Sequence, residues 1–102
     1  LDRTAPVGPW IVTADEIGGR GQPEVDMTLR VNGEIRQQDN TRHMLFDAAS
    51  HIAKISRYRT LYPGDVIWLG AEGATPNMRP GDVVEIEISG IGTLRNYVVA
   101  EA

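Results

Sequence analysis

Cysteine is absent from the 102 residues. That removes both a disulfide framework and a thiolate zinc site, and it fits a reducing, cytoplasmic setting. Positive charge is also short: ten Lys and Arg stand against fourteen Asp and Glu, a formal net charge of −4. Broad binding to nucleic acid needs clustered cations that displace counterions. The one basic-aromatic cluster, Arg57-Tyr58-Arg59, is too small to supply them. No apolar run approaches the roughly 20 residues of a membrane helix, and no charged-then-apolar leader precedes the first expected strand. A start at Leu1 that runs almost at once into Pro6-Val7-Gly8-Pro9-Trp10 is expected of a truncated, cleaved or partial chain.

What is present bounds the fold. The chain is long enough for one small domain, residues 1–102, and no more. Its 41% hydrophobic and 24% charged residues, with no repetitive tract, give a globular composition. Eleven glycines and six prolines imply many turns, which suits short strands better than a helical bundle.

Pro6 and Pro9 hold the opening stretch extended, and Trp10-Ile11-Val12-Thr13 has the pattern of a short buried strand. A loop is expected over Ala14–Pro23. Val25, Met27, Leu29 and Val31 then alternate with Asp26, Thr28 and Arg30, the period-2 pattern of a half-buried strand. Asn32-Gly33 tolerates the positive φ of a type I′ turn, so Glu34-Ile35-Arg36 should return antiparallel. Asp47 suits the N-cap of a helix over about Ala48–Tyr58, with Ala48, Ala49, Ile52, Ala53 and Ile55 on its apolar side. Beyond the Tyr62-Pro63-Gly64-Asp65 turn, Val66-Ile67-Trp68-Leu69 reads as another buried strand and Gly70–Asn77 as a loop. Pro80-Gly81-Asp82 turns into Val83–Ile88, and Gly90-Ile91-Gly92 reverses into a last strand, Thr93–Val99. The expectation is a mainly β domain of the α+β class, with six or seven strands and one helix. Trp10, Phe46 and Trp68 are expected in its core.

The order and spacing of several stretches carry a resemblance. They begin with Leu1-Asp2, Pro6-Val7-Gly8-Pro9-Trp10-Ile11-Val12-Thr13 and Asp15-Glu16-Ile17. Leu29-Arg30-Val31-Asn32-Gly33-Glu34, then Gln38 with Asn40-Thr41, Phe46-Asp47, Ile52-Ala53 and Ser56-Arg57 continue the series. Pro63-Gly64-Asp65-Val66-Ile67, Pro80-Gly81-Asp82-Val83-Val84-Glu85-Ile86-Glu87-Ile88 and Gly90-Ile91-Gly92-Thr93-Leu94-Arg95-Asn96 complete it. Taken together, the chain resembles the C-terminal region of the fumarylacetoacetate hydrolase family over most of its length.

The resemblance implies a share in a rolled, mixed β-sheet and in a homodimer. It implies an activity on 2-oxo or 1,3-dioxo acids, by hydrolysis of a C–C bond, isomerisation or decarboxylation. It also implies Mg²⁺ held by three carboxylates, two of them in a Glu-x-Glu arrangement, with a lysine beside the metal. Hydrolytic members of the family add a His–Glu pair that activates water. A hard cation gripped by oxygen ligands stabilises the enolate of such reactions. In the family all these groups lie N-terminal to the matched stretch, and Lys54, the only lysine here, does not match the catalytic one. The expectation is a C-terminal fragment whose missing N-terminal part binds the metal and is its partner, inactive alone toward a small keto-acid. The alternative is a non-catalytic β-rich module that assembles with itself or a partner.

On the substrate side the resemblance points to the run after Val66-Ile67, where the family has Thr-Gly-Thr-Pro. Here Leu69-Gly70-Ala71-Glu72-Gly73-Ala74-Thr75-Pro76 keeps Gly70 but puts Ala71 where the second threonine stands. Backbone N–H groups can still meet an anion, and Thr75 is the candidate replacement hydroxyl. Asp2 and Thr4 follow the lysine position and are expected near the pocket. The substrate-binding candidates are thus Asp2, Thr4, Gly70, Ala71 and Thr75, with no catalytic and no metal-ligating residue.

Other groups have plainer readings. Glu85-Ile86-Glu87 puts two acids on one strand face, as a metal pair would be, yet a solvated face is expected, with Val84, Ile86 and Ile88 in the core. His43 and His51 lack the i,i+4 spacing of a helical zinc pair. Asp15-Glu16 reads as hydrated loop acids. Gly18-Gly19-Arg20-Gly21 lacks the Lys-Ser/Thr of a P-loop and reads as a connector. For Gln38, Asn40 and Thr41, lining a site and capping the approach to the helix both stand.

Overall fold

The computed structural model describes residues 5–18, 21, 23–70, 73 and 77–100. Its organising feature is the turn at Asn32 (φ 54°) and Gly33 (φ 81°), both in the left-handed region that a type I′ hairpin requires. Strand β1 (Asp26–Val31) therefore runs antiparallel into β2 (Glu34–Asn40). Arg36 is an extra residue between the Leu29–Gln37 and Arg30–Ile35 pairs, a bulge in β2. β3 (Val83–Ile88) pairs antiparallel with β1, and β4 (Gly92–Tyr97) pairs antiparallel with β3. The resulting order is β2-β1-β3-β4.

Alternation gives this sheet two unlike faces. Met27, Leu29 and Val31 stand opposite Ile88, Ile86 and Val84, and Ile86 is also paired with Leu94. The reverse face is polar and cross-linked: Arg30 Nη1 lies 2.5 Å from Glu87 Oε2, and Arg95 Nη2 lies 2.6 Å from Glu85 Oε1.

Helix α1 (Ala48–Ile55) starts where expected, because the Asp47 carboxylate accepts the Ser50 N–H at 2.7 Å. It stops three residues short of Tyr58. Beyond Ser56 the chain makes a turn in which Tyr58 N–H and Arg59 N–H both donate to the Ile55 carbonyl. No residue of α1 is buried.

Two expected strands are absent. Neither Trp10–Thr13 nor Val66–Leu69 is a strand. Strand composition becomes a strand only where a neighbour pairs its backbone, and among the described residues none pairs with either segment. Among the described residues four strands therefore stand where six or seven were expected, and the last ends at Tyr97 rather than Val99. The core assignments of three aromatic residues also fail: Trp10, Phe46 and Trp68 are 58%, 58% and 63% exposed. The mainly β class with one helix holds.

Among the described residues only Val25 is buried. The chain exposes 8650 Å², whereas a folded monomer of its 11.2 kDa mass is expected to expose roughly 5,700 Å². Its radius of gyration, 15.2 Å, likewise exceeds the roughly 13 Å expected for a domain of this length. Part of this exposure lies on the sheet, whose apolar face has no complete second layer among the described residues. No described helix is long and apolar enough to cross a membrane.

Candidate functional site

The apolar face carries a recess of about 580 Å³. It is lined by Ile86 and Ile88 of β3, Leu94 of β4, the segment from Pro6 to Trp10, and Val66, Trp68 and Gly70. None of the described lining residues is ionisable. The Pro6–Trp10 segment is tied to the sheet at Trp10, whose Nε1 donates to the Ile91 carbonyl at 2.8 Å. Gly92 makes that approach possible, because a Cβ built on it would stand 2.9 Å from Trp10 Cζ2.

Gly70 is the one substrate-binding candidate that the structure places, and it lies in the recess wall. Its φ of +97° belongs to the region that favours glycine, which gives a backbone reason for its presence there. Asp2, Thr4, Ala71 and Thr75 lie outside the described residues.

On the acidic strand each carboxylate is paired with an arginine on the polar face; the Glu87 side chain is 46% exposed, as expected of a solvated face, whereas the Glu85 side chain is 16% exposed. The hydrogen bond from Arg95 to Glu85 raises the pKa of the guanidinium above its ordinary value. Ile86, expected in the core, is 41% exposed because the face it occupies is uncovered.

The remaining polar candidates are engaged locally. Asn40 caps the 3-10 turn Thr41–His43 by accepting Arg42 N–H, and its amide donates to Asp26 Oδ1 at 2.7 Å. Thr41 Oγ1 donates to the Pro23 carbonyl and accepts Val25 N–H. Gln38 Nε2 reaches Thr28 Oγ1 at 3.4 Å. None of the three lines the recess, so capping and tethering describe Asn40 and Thr41. His43 Nδ1 lies 2.8 Å from Asp39 Oδ1, and His51 Nδ1 lies 3.1 Å from the Asp47 carbonyl. In the 15–16 acid pair, Glu16 Oε1 accepts the Thr13 hydroxyl at 3.3 Å. Residues 19 and 20 of the glycine-rich connector lie outside the described residues.

Sequence reasoning missed two features. One is the recess itself: its tryptophans were assigned to a core, although Pro6 and Pro9 signalled that the first segment lacks the donors of a paired strand. The other is a link across fifty residues. Asn32 Nδ2 donates to Asp82 Oδ1 at 2.8 Å, and Asn32 Oδ1 accepts Val83 N–H at 2.9 Å. The Arg79 N–H and then the Asn32 amide hold the Asp82 carboxyl below its ordinary value.

A hard divalent cation takes several oxygen ligands. Among the described residues no three His, Cys, Asp or Glu side chains converge as such a set. The described residues therefore do not fit the ion that the resemblance implies.

Residues 1–99 match the family described as fumarylacetoacetate (FAA) hydrolase C-terminal. The chain belongs to the fumarylacetoacetate hydrolase family. It is 42% identical over 101 residues to an uncharacterized protein of Methanocaldococcus jannaschii, covering 99% of this chain and 40% of that one. It is 43% identical over 105 residues to the 2,4-didehydro-3-deoxy-L-rhamnonate hydrolase of a Sphingomonas species, covering 95% and 36%. The maleylpyruvate hydrolase of a Sphingobium species, solved with manganese(II) and pyruvate, shares its fold with a TM-score of 0.84. That likeness is 39% in sequence and covers 92% of this chain and 35% of the hydrolase. Relatives named as an isomerase and as a bifunctional isomerase/decarboxylase also match. The chain thus spans well under half the length of these fumarylacetoacetate hydrolase relatives.

Proposed function

We propose that this chain is the C-terminal portion of a fumarylacetoacetate hydrolase-family catalytic domain acting on a 2-oxo or 1,3-dioxo acid. Hydrolysis of a C–C bond is the reaction assigned, with isomerisation and decarboxylation as its close variants. The observation that carries this reading is the likeness to maleylpyruvate hydrolase over 92% of the chain at 39% identity. That hydrolase was solved with manganese(II) and pyruvate, a divalent cation beside a 2-oxo acid.

In this reading residues 1–102 form one piece of the domain and supply a wall of the pocket. Gly70 brings bare backbone to that wall. Asp2, Thr4, the Ala71 backbone and the Thr75 hydroxyl are the other substrate-side contacts. The cation, Mg²⁺, is bound by the N-terminal portion, and no acid, base or metal-ligand role falls to the described residues. The whole enzyme is a cytoplasmic homodimer.

An acylpyruvate assay with Mg²⁺ tests the reading. The 102-residue chain alone should stay at background. In a chimera, the part of Sphingobium maleylpyruvate hydrolase that this chain matches is replaced by the chain itself. That chimera should turn over maleylpyruvate with a metal requirement. Metal-dependent turnover by the isolated chain, or a folded chimera with none, contradicts it.

A further inference from the structure

We infer that Asn32 is a deamidation site whose conversion is held back by its link to Asp82, and that its conversion breaks that link for good. The modification is covalent and needs only water.

Of the chain's four asparagines, Asn32 alone precedes a glycine. That neighbour matters because the reaction begins within the chain. The Gly33 backbone nitrogen attacks Cγ of Asn32 and forms a new N–Cγ bond. The Cγ–Nδ2 bond then breaks, and ammonia leaves with the proton that Gly33 N gives up. Water opens the cyclic imide at either carbonyl, leaving aspartate or isoaspartate. One water enters, one ammonia leaves, and nothing is oxidised or reduced.

A side chain at 33 would crowd the attacking nitrogen, and glycine has none. The turn is exposed, and a Cβ built on Gly33 would meet nothing within 4 Å. Asn40, Asn77 and Asn96 precede Thr41, Met78 and Tyr97 instead.

The fold opposes the first step. Asn32 Nδ2 donates to Asp82 Oδ1 at 2.8 Å, and Asn32 Oδ1 accepts Val83 N–H at 2.9 Å. The Asn32 N–H also donates to the Val83 carbonyl at 2.8 Å. Both atoms of the amide are thereby drawn toward β3, and Cγ closes on Gly33 N only after they let go. Conversion therefore follows local opening of the turn.

Once formed, the product does not restore the link. An aspartate at 32 has no hydrogen to offer, and its oxygen would stand where Nδ2 does, 2.8 Å from a second carboxylate oxygen. Two carboxylates so close do not both ionise without cost. Asp82 is already ionised at neutral pH: the Arg79 N–H, then the Asn32 amide, hold its carboxyl below its ordinary value, and Arg79 and Arg36 are the positive charges that act on it. Isoaspartate goes further, since it adds a backbone atom to a turn that requires positive φ at both Asn32 and Gly33.

The 102-residue chain is held at neutral pH in buffer and in urea, and the peptide carrying residue 32 is followed by mass spectrometry. The acid should appear about tenfold to a hundredfold more slowly in buffer, the factor expected of two side-chain hydrogen bonds that must open first. Asp82→Ala should remove most of that difference and leave the rate in urea unchanged. Gly33→Ala should slow the reaction in urea, and the product should separate as two peptides of one mass. Equal rates for wild type in buffer and urea overturn the inference. So does a folded Asp82→Ala chain protected like wild type, or a Gly33→Ala chain that converts as fast. Should the isolated chain be unfolded in buffer, the chimera described above is compared in the same way, and wild type alone decides should Asp82→Ala unfold.

Asn32→Asp stands for the product. At neutral pH its urea midpoint should lie below that of Asn32→Gly. Acidification through the carboxylate range should narrow the gap, because a protonated carboxyl can donate where the amide did. A gap that is absent, or that pH leaves unchanged, overturns the claim that conversion sets two carboxylates against each other. None of these readouts uses turnover, so the result is independent of the catalytic assignment.

Discussion

The indole of Trp10 lies over the α-carbon of Gly92, with no room for a Cβ between them: the built atom falls 2.9 Å from Cζ2. Gly92 also has a φ of +132°, which L side chains rarely adopt. Two independent penalties thus meet at one residue. Gly92→Ala should cost about 1–3 kcal/mol, from the clash and the backbone strain together. Urea unfolding of the single variants and of Gly92→Ala with Trp10→Ala separates the terms. Removing the indole should recover the steric part and leave the backbone part.

Asn32 serves the hairpin twice, through its positive φ of 54° and through its amide, which binds Asp82 and Val83 N–H. Asn32→Gly keeps the turn geometry and loses the link, at a cost of order 1 kcal/mol. Asn32→Ala loses both. The urea midpoints should rank wild type above Gly and Gly above Ala. Equal midpoints for the two variants, both below wild type, would show that the cross-link, not the turn, carries the residue's value.

Asp82 and Asp47 make stability depend on acid. The Arg79 N–H, followed by the Asn32 amide, lowers the Asp82 pKa below its ordinary 3.8. Hydrogen bonds from Ser50 lower that of Asp47. A folded-state pKa below the unfolded one contributes stability that is complete above the unfolded value and lost as pH falls through the folded one. Stability should therefore decline below about pH 4. Asp82→Asn should reduce that decline while lowering the midpoint at neutral pH. An unchanged acid limb would show that the carboxylate's partners do not hold in solution.

The Asp47 cap has a local readout. Asp47→Ala removes the acceptor for Ser50 N–H at the start of an eight-residue helix with no buried residue. Little tertiary packing remains to hold that helix. Far-ultraviolet circular dichroism should show lost helical signal with the sheet intact, and Asp47→Ser should restore most of it.

The parts of the fold legible in the sequence are those that nearest neighbours decide. The Val25–Val31 alternation followed by Asn32-Gly33 is a strand and its turn whatever lies elsewhere. Val83–Ile88 between two turns emerged with the bounds expected of it. Asp47 was legible as a cap because its carboxylate answers a donor three residues on. Trp10–Thr13 and Val66–Leu69 were not, because an apolar run becomes a strand only through a partner that its own sequence does not name. The exposed Trp10 and Trp68 have the same cause, since aromatic residues are sorted by what covers them. At the candidate site, Gly70 was placed by resemblance and explained by its φ. The Asn32–Asp82 link, fifty residues apart, has no local sign at all.

In the proposed reading this chain is one part of a fumarylacetoacetate hydrolase-family enzyme and leaves the catalytic cation to the rest. Manganese(II) titrated into the 102-residue chain with pyruvate, followed by electron paramagnetic resonance, tests it most directly. The spectrum should remain that of the hydrated ion at every protein concentration. Stoichiometric loss of the free-ion signal, reversed by substituting acidic residues of this chain, would place the metal site within it and contradict the account.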